Sequence, residues 1–256
     1  MGFDVSDRKR TRIELEEALK KERELGELKS RFVAMASHEF RTPLTTIRAS
    51  VDLLEHYGDS MPEEKKNTYL QEIAREVTNI TELLDDILTI GRAEAGRLEL
   101  KPAVLDFHRL CTEMIEMAKL DTTLRHQLKF DWTGTVDNVV LDEQLVRHMV
   151  SNMLSNAVKY SPNGGLVLLA VVRDKQKISI AVTDEGIGIP ESERESIYEA
   201  FHRFPNVGAI SGTGLGLAIL KRAVERHGGQ VSFESVEGKG TKWLVVLPVA
   251  GTSEAE

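Results

Sequence analysis

The segment SHEFRTPL at 37–44 sets His38, Glu39 and Thr42 beside Pro43 within a long run of helix-forming residues. Neutral imidazole is a competent nucleophile near neutral pH, and a nearby carboxylate can fix its tautomer and take the leaving proton. Glu39 is the candidate for that role, although adjacent helical residues do not share a face. Thr42, one turn on, lies on the face of His38, where a hydroxyl can position a water. Read alone, Glu39 is equally a solvated helix carboxylate. Thr42 is equally a helix-bending hydroxyl ahead of a proline that costs a helix about 3 kcal/mol.

Four further segments follow in one order: NMLSNAVKY (152–160), DEGIGIP (184–190), FHRF (201–204) and GTGLGLAI (212–219). On a helix, Asn152, Asn156, Lys159 and Tyr160 share roughly one face; asparagine offers a carbonyl to Mg2+ and lysine a cation to phosphate oxygens. Asp184 ends a strand, and Gly186 and Gly188 after it let backbone approach a flat ligand whose exocyclic amine, as in adenine, the carboxylate can accept. Gly212, Gly214 and Gly216, with Thr213 and Leu215 between them, precede a helix whose entrance N–H groups can cradle phosphates. Residues 191–211 read as an irregular lid in which Arg203 can reach a terminal phosphate, while Phe201 and Phe204 serve lid packing. Each segment alone has a plain reading: a solvated helix face, an Asp-containing turn, a flexible linker. Their joint occurrence points to a nucleotide site.

These residues need two kinds of scaffold. Residues 11–57 carry apolar positions Leu15, Ala18, Leu25, Leu28, Phe32 and Met35 spaced mostly by threes and fours, which predicts a helix with a coiled-coil-like seam. Continuing that rhythm puts positions 39 and 42 near the seam and His38 on its shoulder. The cluster YGDSMPEE at 57–64 predicts a turn. Leu70, Ile73, Val77, Ile80, Leu84, Ile87 and Leu88 then predict a second helix over 63–94. Such a hairpin has more apolar surface than one partner helix can cover, so two hairpins pairing into a four-helix bundle, a homodimer, is expected. From about residue 102 the texture changes. Strands are predicted at 127–132, 165–173, 177–184, 229–235 and 241–248, and helices at 105–120, 142–160 and 214–227. The hairpin 165–173/177–184 makes the sheet mixed or antiparallel, with helices on one face: an α/β sandwich.

Composition narrows the function classes. A formal charge of −8 over 256 residues disfavours nucleic acid or an anionic membrane as the main partner. The one cysteine, Cys111, excludes an internal disulfide framework, and no run approaches the roughly 18–20 apolar residues of a membrane span. The start MGFDVSDRKR lacks a signal-peptide core, so a cytoplasmic address is expected.

SHEFRTPL resembles the H box, NMLSNAVKY the N box, DEGIGIP the G1 box, FHRF the F box and GTGLGLAI the G2 box of sensor histidine kinases of two-component systems. The resemblance runs from about residue 28 to 248. It implies a dimerisation and histidine phosphotransfer domain (31–96), then an ATP-binding domain (102–250) of the fold shared with DNA gyrase and the heat-shock chaperone ATPases. It further implies ATP and Mg2+ as cofactors and His38 as phosphoacceptor. Glu39 would assist the kinase step, and Thr42 the dephosphorylation of an aspartate on a response regulator receiver domain. Asn156 is the implied Mg2+ ligand with Asn152 in support. Lys159 and Arg203 would contact phosphates, Tyr160 would flank the nucleotide and Asp184 would read adenine. Residues 1–30 resemble the end of a PAS-like sensor and its signalling linker, and 251–256 a tail. FHRF departs slightly, since the residue before the arginine is more often aromatic. Two rivals are an ATP-gated clamp, which has no use for an acceptor histidine in a dimerising hairpin, and an inert scaffold, which has no use for the intact polar set from Asn152 to Gly216.

Overall fold

The computed structural model describes residues 36–94, 97–121, 125–136, 138–202 and 213–249. The expected linker helix over 1–30, Phe32, Met35, Arg203, Phe204, Gly212 and the tail lie outside the described residues. The chain divides into two compact units, Met1–Leu83 and Leu84–Glu256.

In the first unit, helix α1 (36–57) ends in a single 3-10 turn, Gly58–Ser60, and helix α2 (Glu63–Glu94) follows. Met61 is extended (φ −88, ψ 140), as a residue before proline must be, and its N–H closes on the Gly58 carbonyl at 3.3 Å. The Pro62 carbonyl accepts from Lys65 and Lys66, and Glu63 and Glu64 face the positive end of the new helix. The helices are pinned to one another by a part-buried polar bond, Ser50 Oγ to Glu72 Oε2 at 2.9 Å. Two sevenfold rows remain exposed in the single chain: Leu44 and Val51 on α1, and Leu70, Val77 and Leu84 on α2. A seven-residue repeat of exposed apolar side chains is the pattern of a helix seam.

The second unit is built on a five-stranded mixed sheet of order β2-β4-β5-β7-β6: β2 (His126–Gly134), β4 (Gly165–Arg173), β5 (Lys177–Thr183), β6 (Gln230–Val236) and β7 (Gly240–Pro248). β2 runs parallel to β4, and the other neighbours are antiparallel. Register sets Leu128 beside Val167, then Leu169 beside Val182 and Trp243, Val171 beside Ile180 and Val245, and Arg173 beside Ile178 and Leu247, all on one face. The helices α3 (Phe107–Asp121), α4 (Glu143–Lys159) and α5 (Gly216–Arg226) bury that face. The expected sandwich with helices on one side is therefore present. Two short strands that periodicity does not reveal, β1 (Ala103–Leu105) and β3 (Val139–Leu141), form a separate antiparallel ribbon; three residues are too few for alternation to register. Cys111 is fully buried and its thiol is pushed up to about 12 by that burial, which leaves it unreactive.

The β6–β7 turn offers a controlled comparison of two left-handed glycines. Gly240 (φ +98) has no room, since a Cβ would stand 2.0 Å from the Asp184 carbonyl, whereas Gly238 (φ +77) is open on all sides. Gly238→Ala should cost about 1–2 kcal/mol of backbone strain. Gly240→Ala adds a backbone clash and should cost roughly 3 kcal/mol or more. Urea unfolding of both variants reads the difference, and equal losses would contradict the packing.

Candidate active site

The two sets of chemically capable residues fall in different units. In α1, the His38 side chain is 72% exposed and its Nδ1 lies 3.4 Å from Glu39 Oε1. Neighbouring helical residues rarely meet, so this approach requires the carboxylate to lean back along the helix. The Thr42 hydroxyl donates to the His38 carbonyl at 3.5 Å, and Thr45 and Thr46 make the same backward bond to Arg41 and Thr42. Such bonds soften a helix, and here they surround Pro43, whose missing N–H leaves the Glu39 carbonyl without its usual donor. The inward row runs through half-buried Glu39 and buried Pro43, while Thr42 is exposed.

In the second unit, α4 starts where Asp142 caps it: Oδ1 accepts from Leu145 at 3.0 Å and Oδ2 from Lys101 at 2.8 Å. Leu145, Val146, Met149, Val150, Met153, Leu154 and Ala157 bury one face of the helix. That rotation leaves Asn152, Asn156 and Lys159 half-buried along its margin, with the Lys159 ammonium 5.1 Å from the Tyr160 ring centroid. The Tyr160 carbonyl accepts from Ile187 at 3.0 Å, which ties the end of α4 to the turn after β5.

That turn is organised by Asp184, which is 6% exposed. Its Oδ1 accepts from Gly186 N–H at 2.9 Å and Thr241 N–H at 3.1 Å, and every hydrogen bond recorded for the carboxylate falls on this oxygen, so Oδ2 is left for another donor. Burial pushes the carboxyl above its ordinary value, against the two N–H bonds that pull it down. Gly186 is boxed in: a Cβ would meet the Tyr160 carbonyl at 2.3 Å and both Asp184 Oδ1 and Ser161 Oγ at 2.8 Å. Gly188 (φ +68) is equally confined against the Val236 carbonyl. Beneath the turn, Ser235 Oγ accepts from Ile189 N–H at 2.9 Å and touches the Gly240 carbonyl and Thr241 Oγ1.

Residues 191–202 are more ordered than the expected irregular lid. Ile197 is buried, and Tyr198 packs on Phe233 and Trp243 while Lys221 of α5 lies 5.1 Å from its ring centroid. The segment ends with Phe201 in the left-handed region (φ 70), donating its N–H to the Gly214 carbonyl at 2.9 Å. Gly214 (φ +67) could not carry a Cβ without meeting the His202 carbonyl at 2.7 Å. Thr213 Oγ1 then accepts from Leu215 N–H at 3.2 Å, and the first helical bond runs from Ile219 to Leu215. The N–H groups of Gly216, Leu217 and Ala218 consequently have no acceptor within the helix, which suits an anion. Gly216 also lets Asn152 approach, since a Cβ there would stand 2.5 Å from Asn152 Oδ1. The three segments 152–160, 184–190 and 213–219 are thereby stitched into one neighbourhood; Arg203 and Gly212 fall outside the described residues.

Sequence reading passed over Ser161, Ser235, Gly240 and Thr241. The main-chain N–H that Thr241 lends to Asp184 has no residue-type signature, although the Gly-Lys-Gly-Thr run at 238–241 was a visible mark of a constrained turn. Among the described residues no group of three or more His, Cys, Asp or Glu could hold a metal ion. The donor set suits a hard cation held by an amide carbonyl together with ligand oxygens and water rather than a protein cage.

Residues 28–96 match the family model of the His Kinase A (phospho-acceptor) domain. Residues 141–251 match that of the histidine kinase-, DNA gyrase B- and HSP90-like ATPase. The chain is 34% identical over 241 residues to the circadian input-output histidine kinase CikA of Synechococcus elongatus, covering 92% of this chain and 32% of that protein. It is 32% identical over 253 residues to the adaptive-response sensory kinase SasA of a Synechococcus species, covering 97% and 65%. These curated relatives are longer, and the chain spans about a third to two thirds of their length. Among solved structures, full-length ShkA in complex with AMPPNP superposes with a TM-score of 0.60 at 27% identity, covering 86% of this chain and 46% of that one. Carrying both the phospho-acceptor domain and the ATPase-type nucleotide-binding domain in this order, the chain belongs to the sensor histidine kinases.

Proposed function

We propose that this chain is a cytoplasmic catalytic core that moves the γ-phosphoryl group of ATP onto His38 and passes it to an aspartate of a response regulator, which it also dephosphorylates. The observation that carries the reading is the pairing of a largely exposed imidazole with an adjacent carboxylate in one domain, and a buried carboxylate with a spare oxygen in the other.

With Nδ1 turned to Glu39, Nε2 is the nucleophilic nitrogen. It attacks the γ-phosphorus, the bond to the β-phosphate oxygen breaks and ADP leaves, while the Nδ1 proton passes to Glu39. In the second transfer the N–P bond breaks and the regulator carboxylate becomes an acyl phosphate. Thr42 donates its own hydrogen to the His38 carbonyl, so its oxygen can accept from and orient a water towards that acyl phosphate. For the nucleotide, Asp184 Oδ2 accepts from the adenine amine, Tyr160 flanks the base, Lys159 and Arg203 face phosphates, and the start of α5 receives phosphate oxygens. Asn156, supported by Asn152, would hold Mg2+, which neutralises phosphate charge. The proposed domain limits are 31–96 and 102–250. A homodimer is supported by the exposed rows Leu44/Val51 and Leu70/Val77/Leu84, and an upstream PAS-like sensor by the resemblance of residues 1–30 to the end of such a domain and its signalling linker.

Asp184→Asn keeps an oxygen to accept from Gly186 and Thr241 but presents an NH2 to the adenine amine. A carboxyl raised above its unfolded value makes the native state less stable as pH climbs through that interval. The variant should therefore match or exceed wild-type melting temperature at pH 7, while ATP affinity by calorimetry falls at least about tenfold. Unchanged affinity would remove Asp184 from the adenine site.

The two half-reactions should separate on α1. His38→Ala should lose autophosphorylation and keep ATP affinity within a few-fold. Glu39→Ala should slow the forward step by about 10²–10⁴-fold. Thr42→Ala should lose regulator dephosphorylation with His38 still phosphorylated. Assays of both steps with a purified cognate regulator check this. An equal loss of both steps in Thr42→Ala would make its role structural, beside Pro43.

A further inference from the structure

Helices α4 and α5 pack on one another and are joined at two places. One is in the nucleotide neighbourhood, where Gly216 opens α5 and a Cβ on it would stand 2.5 Å from Asn152 Oδ1. The other is at the far end, where the Asp142 N–H donates to Nε2 of His227 at 3.2 Å. Asn152 lies ten residues beyond Asp142, and His227 eleven beyond Gly216, which is about 15 and 16 Å along the two helices. The helices therefore run antiparallel, and the two contacts are the end rungs of one ladder.

The imidazole of His227 is not needed to end α5. Gly228 (φ +67) turns the chain, with the Gly229 N–H on the Val224 carbonyl at 2.9 Å and the Gly228 N–H on the Glu225 carbonyl at 3.0 Å, the two bonds of a Schellman ending. Gly229 in turn presses on β7, since a Cβ there would stand 2.4 Å from the Val246 carbonyl. The backbone of His227 is thus fixed, and its half-buried ring is left for a second task. Nδ1 lies 2.8 Å from the Ala223 carbonyl, which only accepts, while Nε2 faces the Asp142 N–H, which only donates. Both bonds form together only in the neutral Nδ1–H tautomer. Asp142 is held as firmly: it is 6% exposed, and its carboxylate takes the N–H groups of Leu145 and of Lys101, ahead of β1.

We propose that His227 is a positioning residue for the phosphate end of the nucleotide. By tying the end of α5 to the cap of α4, it sets how far the helices slide past one another. That slide fixes the spacing between Asn152 and Asn156 on one helix and the N–H groups of Gly216, Leu217 and Ala218 that open the other. The buried faces of the two helices, with Leu145 and Met149 on α4 and Ile219 and Leu220 on α5, contribute area without direction. A hydrogen bond, by contrast, has a narrow range of length and angle. The inference rests on the proposed nucleotide site, where Asn156 holds Mg2+ and the start of α5 receives phosphate oxygens. Asp184 reads the base from beyond the end of β5, outside the ladder, so a slip should weaken the metal-dependent part of binding and spare the rest.

The test is calorimetric titration of the full chain with ATP, once with Mg2+ and once with EDTA, on wild type and two variants. An asparagine amide reaches the place of Nδ1 and a glutamine amide that of Nε2. His227→Asn therefore keeps a donor for Ala223 and loses Asp142, whereas His227→Gln keeps an acceptor for Asp142. His227→Asn should bind ATP within about twofold of wild type in EDTA but about five- to tenfold more weakly with Mg2+, the scale of one hydrogen bond. His227→Gln should recover most of that loss. A role confined to capping α5 predicts the reverse order of the two variants, or equal losses with and without Mg2+, and either result overturns the proposal. So does wild-type affinity in His227→Asn under both conditions. A wild type that fails to bind ATP, or binds it no better with Mg2+, overturns the reading of the nucleotide site and this proposal with it. Should His227→Asn fail to fold, long-range proton–nitrogen NMR spectra of the wild-type imidazole decide. The Nδ1–H tautomer is expected at neutral pH, and the Nε2–H tautomer or the imidazolium would overturn the clamp.

Discussion

Placing a carboxylate inside a protein is costly unless its oxygens are met by donors, and Asp184 is met on one oxygen only. The two N–H groups on Oδ1 come from Gly186, two residues on, and from Thr241 on the adjacent strand β7. Their geometry requires the β5–β7 pairing to continue to its last rung, Thr183 opposite Lys242, and the turn beyond to close tightly. Gly186, Gly188 and Gly240 are consequences of this one group, each occupying a place where a Cβ would strike backbone. Ser235 extends the arrangement by holding Ile189, Gly240 and Thr241 together beneath the turn. The outcome is a fixed negative group whose second oxygen is unspent, the condition a purine amine needs.

Around that fixed point the remaining parts are positioned by ordinary packing. The buried face of α4 sets the rotation of Asn152, Asn156 and Lys159, and the Tyr160–Ile187 bond sets the height of the helix against the turn. The contact of Asn152 with Gly216 brings in the start of α5, while Tyr198, wedged among Phe233, Trp243 and Lys221, anchors residues 191–202 to the same helix. The acceptor helix obeys a different logic. It needs exposure rather than enclosure, and His38 has it: its imidazole is on the surface of a continuous helix, with Pro43 turned inward.

Much of this was legible in the sequence because the signals were periodic or combined. The helix-covered face of the sheet follows from period-two alternation, as in β4 and β5, and α2 from the threes and fours of Leu70 to Leu88. The nucleotide neighbourhood was readable from three motifs together, though none sufficed. What escaped had no periodicity to show. The β1–β3 ribbon is three residues long on each side, and Thr241 acts through its backbone. Within the single chain Pro43 packs inward while Thr42 is exposed and bonds to the His38 carbonyl, a detail that residue spacing does not show. Arg173 escaped for the opposite reason, because alternation called for an apolar residue there and the exception shows only once its surroundings are known.

The central claim is that phosphate from ATP comes to rest on the imidazole of His38. Incubating the wild-type chain with γ-labelled ATP and Mg2+, dividing the product between mild acid and mild base, and mapping the label on peptides tests it directly. A phosphoramidate predicts label lost in acid, kept in base and confined to the peptide containing His38. An acid-stable label, or one mapping to a peptide that lacks His38, would contradict the account.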